Sequence, residues 1–549
     1  MGMKKKHRNV LSIILIGLFL FTSCTNMHVS LAEQQVLRSV MPKDPKTIDP
    51  QRAENETSFL IVSNVMEGLV RINYQGEVEP GLAKSWTVSK DGLVYTFSLR
   101  DALWSDGTPV TAADIEYSMK RALEPGFFSK YVYQMFLIKN AYEAKYKMDR
   151  SGNAVDISLA EVGIQAIDEK TLQITLNEPA AQFPGLLANP IFIPSKKEAT
   201  EQGGASYGTG LNHYVFSGPF VITEWISDTK ISMEKNPSYW DKDKVYLSNI
   251  VIDIDAQTSN SVGKFQQGAY DVIQIPQSFI AQFTDKKEYR QMADTPTWFL
   301  QFNCKNKYFA NPQIRQAFAM AVDKEIFINQ VRKGLGLKAY ALSHPTIALE
   351  GAYPLKDAKK EISPLSFHKG KANRLLDEGL SEIGANREQM AQEVQFLGGE
   401  GEMWQSISDY FVQQFAEVFG MTFAVTGAND IQRFTMMKDG QYALTYSGIE
   451  SDYYDPLSSL EILQSQNVNN LSGFQNEAYD EAITKMKTKQ TRRKKVVVEA
   501  EKILAMEVPL YPICYSVYTY AIQNNVKNLS ATPTPARYDW KYTYIEKTK

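Results

Sequence analysis

The chain has 549 residues, with 59 Lys and Arg against 62 Asp and Glu and a net charge of −3. A chain of that length suggests about three domains, and without a basic excess a nucleic-acid-binding face is not expected. Its three cysteines show no CxxC spacing and its five histidines, at 7, 28, 213, 344 and 368, are scattered, so neither a zinc site nor a histidine-based catalytic dyad is supported.

Lys4, Lys5, Lys6 and Arg8 open the chain, and Leu11 to Phe21 follows without a charge. Eleven apolar residues fall short of the roughly 20 that a spanning helix needs, so residues 1–23 read as a secretory signal. Phe21-Thr22-Ser23-Cys24 is similar to the lipobox of bacterial lipoproteins, with Phe21 where Leu is usual. That similarity implies cleavage before Cys24 and lipidation of its thiol; the alternative is a plain signal peptide with an incidental cysteine. Removing residues 1–23 takes four basic and no acidic residues and leaves 526 residues at net charge −7. Residues 24–35 then read as a polar tether.

Val36–Val40 reads as a strand, followed by the proline-punctuated loop 42–50. Phe59 to Leu69 has helical apolar spacing. Tyr95–Arg100 alternates as a half-buried strand. Thr111, with Asp114 three residues on, predicts an N-cap for a helix running to about Leu123. Leu172–Leu176 and Ile250–Ile254 read as strands, and the glycine-rich stretch 203–210 as a surface loop without phosphate-cradle spacing. Further helices are expected over Pro312–Val322, Gly370–Leu380, Met403–Phe419, Glu477–Lys487 and Arg492–Met506. The basic run 489–495 reads as a solvated helix start. Cys304 and Cys514 sit in strand-like segments and could pair or stay as buried thiols.

The segment 67–125 carries Pro80-Gly81-Leu82-Ala83, Ser85-Trp86, Asp91-Gly92 and Trp104-Ser105-Asp106-Gly107-Thr108-Pro109-Val110-Thr111-Ala112. It resembles the signature region of the extracytoplasmic solute-binding proteins, family 5, that feed peptide ABC importers. Asp44–Pro50, Ser217–Phe220, Asn236–Trp240, Arg315–Lys324 and Asp452–Pro456 extend the resemblance along the chain, and the last favours the oligopeptide-binding branch. The resemblance implies an α/β, periplasmic-binding-protein-like fold (class II, cluster C) with two closing lobes. Lobe I would comprise 36–65, 206–296 and 511–549, with an extra domain over 66–205. Lobe II would comprise 297–510, and the chain would cross near Thr297 and Leu510.

The resemblance also implies a cleft that takes short peptides through their main chain. Asp452 matches the acidic residue that receives the ligand's α-amino group, next to Tyr453 and in the stretch that begins at Gly448. Ile449 and Glu450 stand where relatives commonly have Trp and Cys, and Glu450 could favour a basic first residue. Glu54 and Tyr131 match cleft-bordering positions. Phe299 and Leu300 are expected to offer their backbone to the ligand, and Asn470, Ser472 and Gly473 resemble another cleft-side loop. Groups for the peptide carboxylate are not assigned by the resemblance, and the family's disulfide is not expected. The function implied is a lipid-anchored extracytoplasmic receptor, a monomer delivering peptides to an ABC permease. The alternative is the same fold dedicated to one signalling or cell-wall peptide, dipeptide, metal chelate or haem. No metal or cofactor is expected, and an enzyme is disfavoured because no GxSxG or HExxH occurs.

Overall fold

The structure is a computed structural model that describes residues 30–73, 77–347, 349, 360, 362, 365–489, 491–531 and 538–547. The signal sequence and Cys24 lie outside the described residues. Among the described residues no helix is long and apolar enough to cross a membrane.

Eleven strands form one large sheet. In chain order they are β1 (Val36–Met41), β2 (Phe220–Ile226), β3 (Lys230–Lys235), β4 (Asn249–Ile254), β5 (Val272–Gln274), β6 (Tyr289–Phe302), β7 (Leu337–Lys338), β8 (Gln395–Gly398), β9 (Ala424–Gly427), β10 (Leu444–Ile449) and β11 (Leu510–Ile522). Their spatial order is β9-β8-β10-β6-β11-β5-β1-β4-β3-β2, with β7 also paired to β11. Parallel pairs (β1 with β4 and β5, β8 with β9 and β10) are mixed with antiparallel ones. The long strands β6 and β11 run antiparallel through the middle and belong to both halves. Their pairing is regular from Tyr289–Ala521 to Ala293–Val517, breaks, and resumes at Thr297–Tyr515. An irregularity of this kind bends and twists a sheet locally.

The apolar residues gather in matching cores. Around the β1–β5 side, Leu37, Phe59, Val62, Phe220 and Ile250 are buried together. Around the β8–β10 side, Leu300, Phe318, Phe411, Phe415 and Tyr446 form a second core, and Phe299, Leu460, Tyr479 and Val497 a third on Phe299's face. A separate core, from Leu69 to Phe192, lies under a four-stranded sheet that includes Val94–Leu99 and Thr171–Thr175.

Most helix and strand expectations are met within a residue or two. The helix Ala112–Ala122 begins with the full capping box, Thr111 and Asp114 each accepting from the other's backbone. The first helix departs: it spans Glu56–Val65, is capped by Asn55 and stops before Leu69. Met66 packs in the first core and Leu69 in the Leu69–Phe192 core, so the apolar spacing continues while the chain changes partner. Gly218 lies against the end of this helix, where a Cβ would come within 2.6 Å of the Met66 nitrogen. The glycine-rich stretch 203–210 is likewise more than a surface loop. Tyr207 is buried, and Gly208, at φ +81°, sits against Asp49, where a Cβ would approach the Asp49 nitrogen to 2.4 Å.

Candidate functional site

The loop after β10 carries the site. Backbone bonds tie it down on both sides: the Asp452 amide donates to Ser458 Oγ at 2.8 Å, and Gln134 Nε2 donates to the Asp452 carbonyl at 2.9 Å. The second bond joins this loop to the Leu69–Phe192 unit, whose 3-10 turn Val132–Met135 supplies Gln134. The same turn supplies Tyr133, whose hydroxyl lies toward the Asp452 carboxylate and favours its ionised form. That carboxylate is accessible to solvent, yet the walls around it desolvate it enough to raise its pKa, with Glu450 and Glu461 adding like-charge repulsion.

Tyr131 stands beside this acid. Its ring meets Phe59 edge-on at 5.4 Å and Tyr133 at 6.3 Å, and Lys130 lies over it at 5.3 Å. Burial raises the Tyr131 pKa, and Glu450 and Asp452 push it the same way, which places both acids near its hydroxyl. Glu450 acts on Tyr518 of β11 as well, where Asp294 of β6 is the nearer acid. Tyr131, Tyr133, Glu450, Asp452, Asp294 and Tyr518 thus converge from four parts of the chain onto one opening beside the break in β6 and β11. Glu54 borders it less directly: it pairs with Lys46 at 2.7 Å, and that bond, with Lys130 as a weaker influence, lowers its pKa.

The rest of the loop is fastened rather than free. Tyr453 donates to Glu461 at 2.9 Å and packs on the Leu69–Phe192 core. Asp455 accepts the Leu457 amide, as a turn aspartate does, and also pairs bidentately with Arg493 at 2.6 and 2.8 Å. Arg493 is only 5% exposed, so the 489–495 run is not a wholly solvated helix start.

The structure does not bring every expected residue to the opening. Phe299 and Leu300 are buried in two cores, and over this stretch β6 is paired on one side to β10 and on the other to β11. With no free edge there, their backbone cannot receive an added strand. Gly448 and Ile449 do lie at the end of β10 that leads to Asp452, opposite Trp298 and Thr297. Asn470, Ser472 and Gly473 hold their own loop together. Asn470 Nδ2 donates to the Phe474 carbonyl at 2.8 Å, buried Ser472 donates to Asn470 Oδ1 at 2.8 Å, and Gly473 takes φ +65°. Cys304 and Cys514 are separate thiols.

Sequence reading missed Tyr133, Gln134, Tyr518 and Arg493. For Tyr133 and Gln134 the signal was their closeness to Tyr131; for Arg493 nothing local marked it out from the basic run.

Two α/β halves joined by paired crossing strands, with ionisable side chains gathered at the crossing, define the periplasmic-binding-protein-like class. Within it, the chain belongs to the bacterial extracellular solute-binding proteins, family 5, whose middle-region model matches residues 77–470. It is similar to the dipeptide-binding protein DppE of Bacillus subtilis, 29% identical over 510 residues, covering 91% of this chain and 90% of the relative. Among solved structures, the unliganded open form of the murein tripeptide-binding protein MppA gives a TM-score of 0.84 at 25% identity, covering 95% of this chain and 99% of that one. Listeria monocytogenes OppA bound to peptide gives 0.62 at 27% identity, covering 94% and 100%.

Proposed function

We propose that this protein is an extracytoplasmic receptor that captures short peptides by their free amine and presents them to the permease of an ABC importer. The observation that carries this reading is Asp452: a partly desolvated carboxylate near Glu450 and Glu461, with the Tyr133 hydroxyl favouring its charge. Such a group is costly while its charge is uncompensated, and an ammonium ion from a ligand removes the cost. The peptide nature of the ligand is supported by the relatives' names and by β10, whose Gly448 and Ile449 pair with β6 but not with β8. The finer reading, lipidation of Cys24 and tethering to the membrane face as a monomer, rests on residues 1–35 of the sequence alone.

The lobes would close about the break in β6 and β11. We place the crossings at 294–296 and at Tyr515–Val517, five or more residues beyond the Leu510 expected from sequence, because Leu510–Tyr515 still pairs with the 297–301 stretch. The greater likeness to an unliganded open form than to a peptide-bound one fits a receptor at rest. Glu54, Tyr131, Tyr453 and Gly448–Glu450 would border the bound peptide.

The test is calorimetric titration with trialanine and with N-acetyl-trialanine. The free peptide should bind at least tenfold more tightly, and Asp452→Asn should abolish that difference. Equal affinity for both forms in the wild-type protein would sink the amine-capture reading.

A further inference from the structure

The helix Arg493–Glu507 breaks the ordinary rules for a helix start. Its N-cap, Arg492, takes φ +61° and makes no side-chain cap bond, no acidic residue stands in its first turn, and Arg493, Lys494 and Lys495 open it. A helix N-terminus carries partial positive charge, so bases there raise the energy of the fold where Asp or Glu would lower it. Lys489, at the end of the helix Glu477–Thr488, adds another base a few residues away. Arg493 turns inward to Asp455. Lys489, Arg492 and Lys495 are exposed and Lys494 is half-buried. Among the described residues none of these four forms an ion pair; Glu481 pairs with Lys485 at 2.6 Å and Glu461 with Lys487 at 3.2 Å instead. The corner also lacks an apolar anchor, because no large apolar side chain described as exposed falls between residues 469 and 505.

We propose that Lys489, Arg492, Lys494 and Lys495 rest the lobe that carries Asp452 on an anionic lipid surface. The inference takes only its location beside a membrane from the reading above, and nothing from the peptide site. Its basis is charge complementarity. Lysines are point charges on flexible stems, which suit a fluid array of phosphates better than one fixed geometry. A specific protein interface is built on buried aromatic or apolar anchors, and their absence here favours a diffuse anionic surface over an acidic protein. The chain without residues 1–23 carries a net charge of −7, so the same surface repels most of the molecule and confines contact to this corner. An anion against the corner also offsets the repulsion at the helix start. A lipid on Cys24 would hold the body within about 40 Å of the surface, the extended reach of residues 24–35, so a weak contact is enough to set how the receptor is turned.

The experiment sediments the chain from Thr25 onward, which holds every described residue and no lipid, with vesicles of phosphatidylcholine alone or mixed with phosphatidylglycerol. The wild type should partition to the mixed vesicles at low salt, leave them at high salt, and ignore phosphatidylcholine. Replacing Lys489, Arg492, Lys494 and Lys495 together by Gln should cut that partitioning about a hundredfold. The same variant should melt no lower than the wild type, since it removes like charge from a helix start. A control with the same change in net charge, Lys90→Gln with Lys369→Gln, Lys371→Gln and Lys438→Gln, should partition as the wild type does. Equal partitioning of the wild type to both vesicles overturns the proposal without reference to any variant, and so does partitioning to neither, which would leave the corner to an acidic protein. An equal loss in the control overturns it too, because net charge and not this corner would then be responsible. None of these outcomes depends on whether Asp452 captures an amine.

Discussion

At the scale of single residues, Asp452 carries a cost to stability that a bound amine would relieve. The folded state holds the Asp452 carboxyl above its ordinary range, first by burial and then by Glu450 and Glu461, with Tyr133 opposing. A raised carboxyl pKa means that the ionised form costs the fold free energy at neutral pH, and acid relieves that cost. Asp452→Asn should therefore leave the melting temperature unchanged or higher while peptide affinity falls, and thermal unfolding beside calorimetry separates the two. The same linkage governs ligand. A bound ammonium favours the carboxylate, so the complex titrates lower than the free protein. Affinity should be full above the free protein's pKa and fall as pH drops through it, by up to about tenfold per unit until the complex also protonates. Titrating trialanine from neutral to acid pH should show that slope in the wild type and a flat profile in Asp452→Asn.

At the scale of elements, the loop that presents Asp452 is set by an ion pair formed from a helix start. Arg493 reaches Asp455 with two bonds and the Met486 carbonyl with a third at 3.0 Å, while Pro456 begins the short helix Leu457–Leu460. Removing one partner strands a buried charge, which typically costs about 3–5 kcal/mol. Asp455→Ala should lower the urea midpoint accordingly and weaken peptide binding in the same variant; an unchanged midpoint would show that the pair contributes nothing. The contrast between this pair and the capping box explains what the sequence could disclose. Thr111 and Asp114 satisfy each other three residues apart, so a local pattern revealed them. Asp455 and Arg493 are separated by 38 positions, and nothing in the basic run marked the third of its charges as buried. The family motifs pointed to Asp452 and Tyr131, which the fold brings near each other, but also to the backbone of Phe299 and Leu300, because strand-like composition cannot tell a strand with a free edge from one paired on both sides. The helix expected to reach Leu69 failed for a related reason: apolar periodicity reports burial, and Met66 and Leu69 are buried in different cores.

At the scale of the whole molecule, two strands carry the connection between halves, so whatever packs beside their break bears on the stability of both. His344 is such a group. It is 1% exposed, its Nδ1 lies 2.8 Å from Thr346 Oγ1, its ring meets Tyr515 edge-on at 5.3 Å, and the Asp294 backbone sits against it. Burial outweighs the Asp294 contact and lowers its pKa to about 4 from 6.5. Between those values the unfolded chain holds a proton that the folded chain does not, so stability falls as pH falls. The loss begins near pH 6.5, is complete below about pH 4 and amounts to about 3 kcal/mol from this residue. His344→Gln keeps a neutral polar group that can still meet Thr346 and removes the titration. The wild type should be the more stable at pH 7.5 by its better packing, and the gap should narrow or reverse at pH 4.5. Urea unfolding of both proteins at the two pH values measures that difference directly. A constant gap would mean that the acid sensitivity lies elsewhere and that the crossing strands do not feel this imidazole. A narrowing gap would locate one of the molecule's acid-labile points beside the break in its two shared strands, the place about which the proposed closure of the halves would turn.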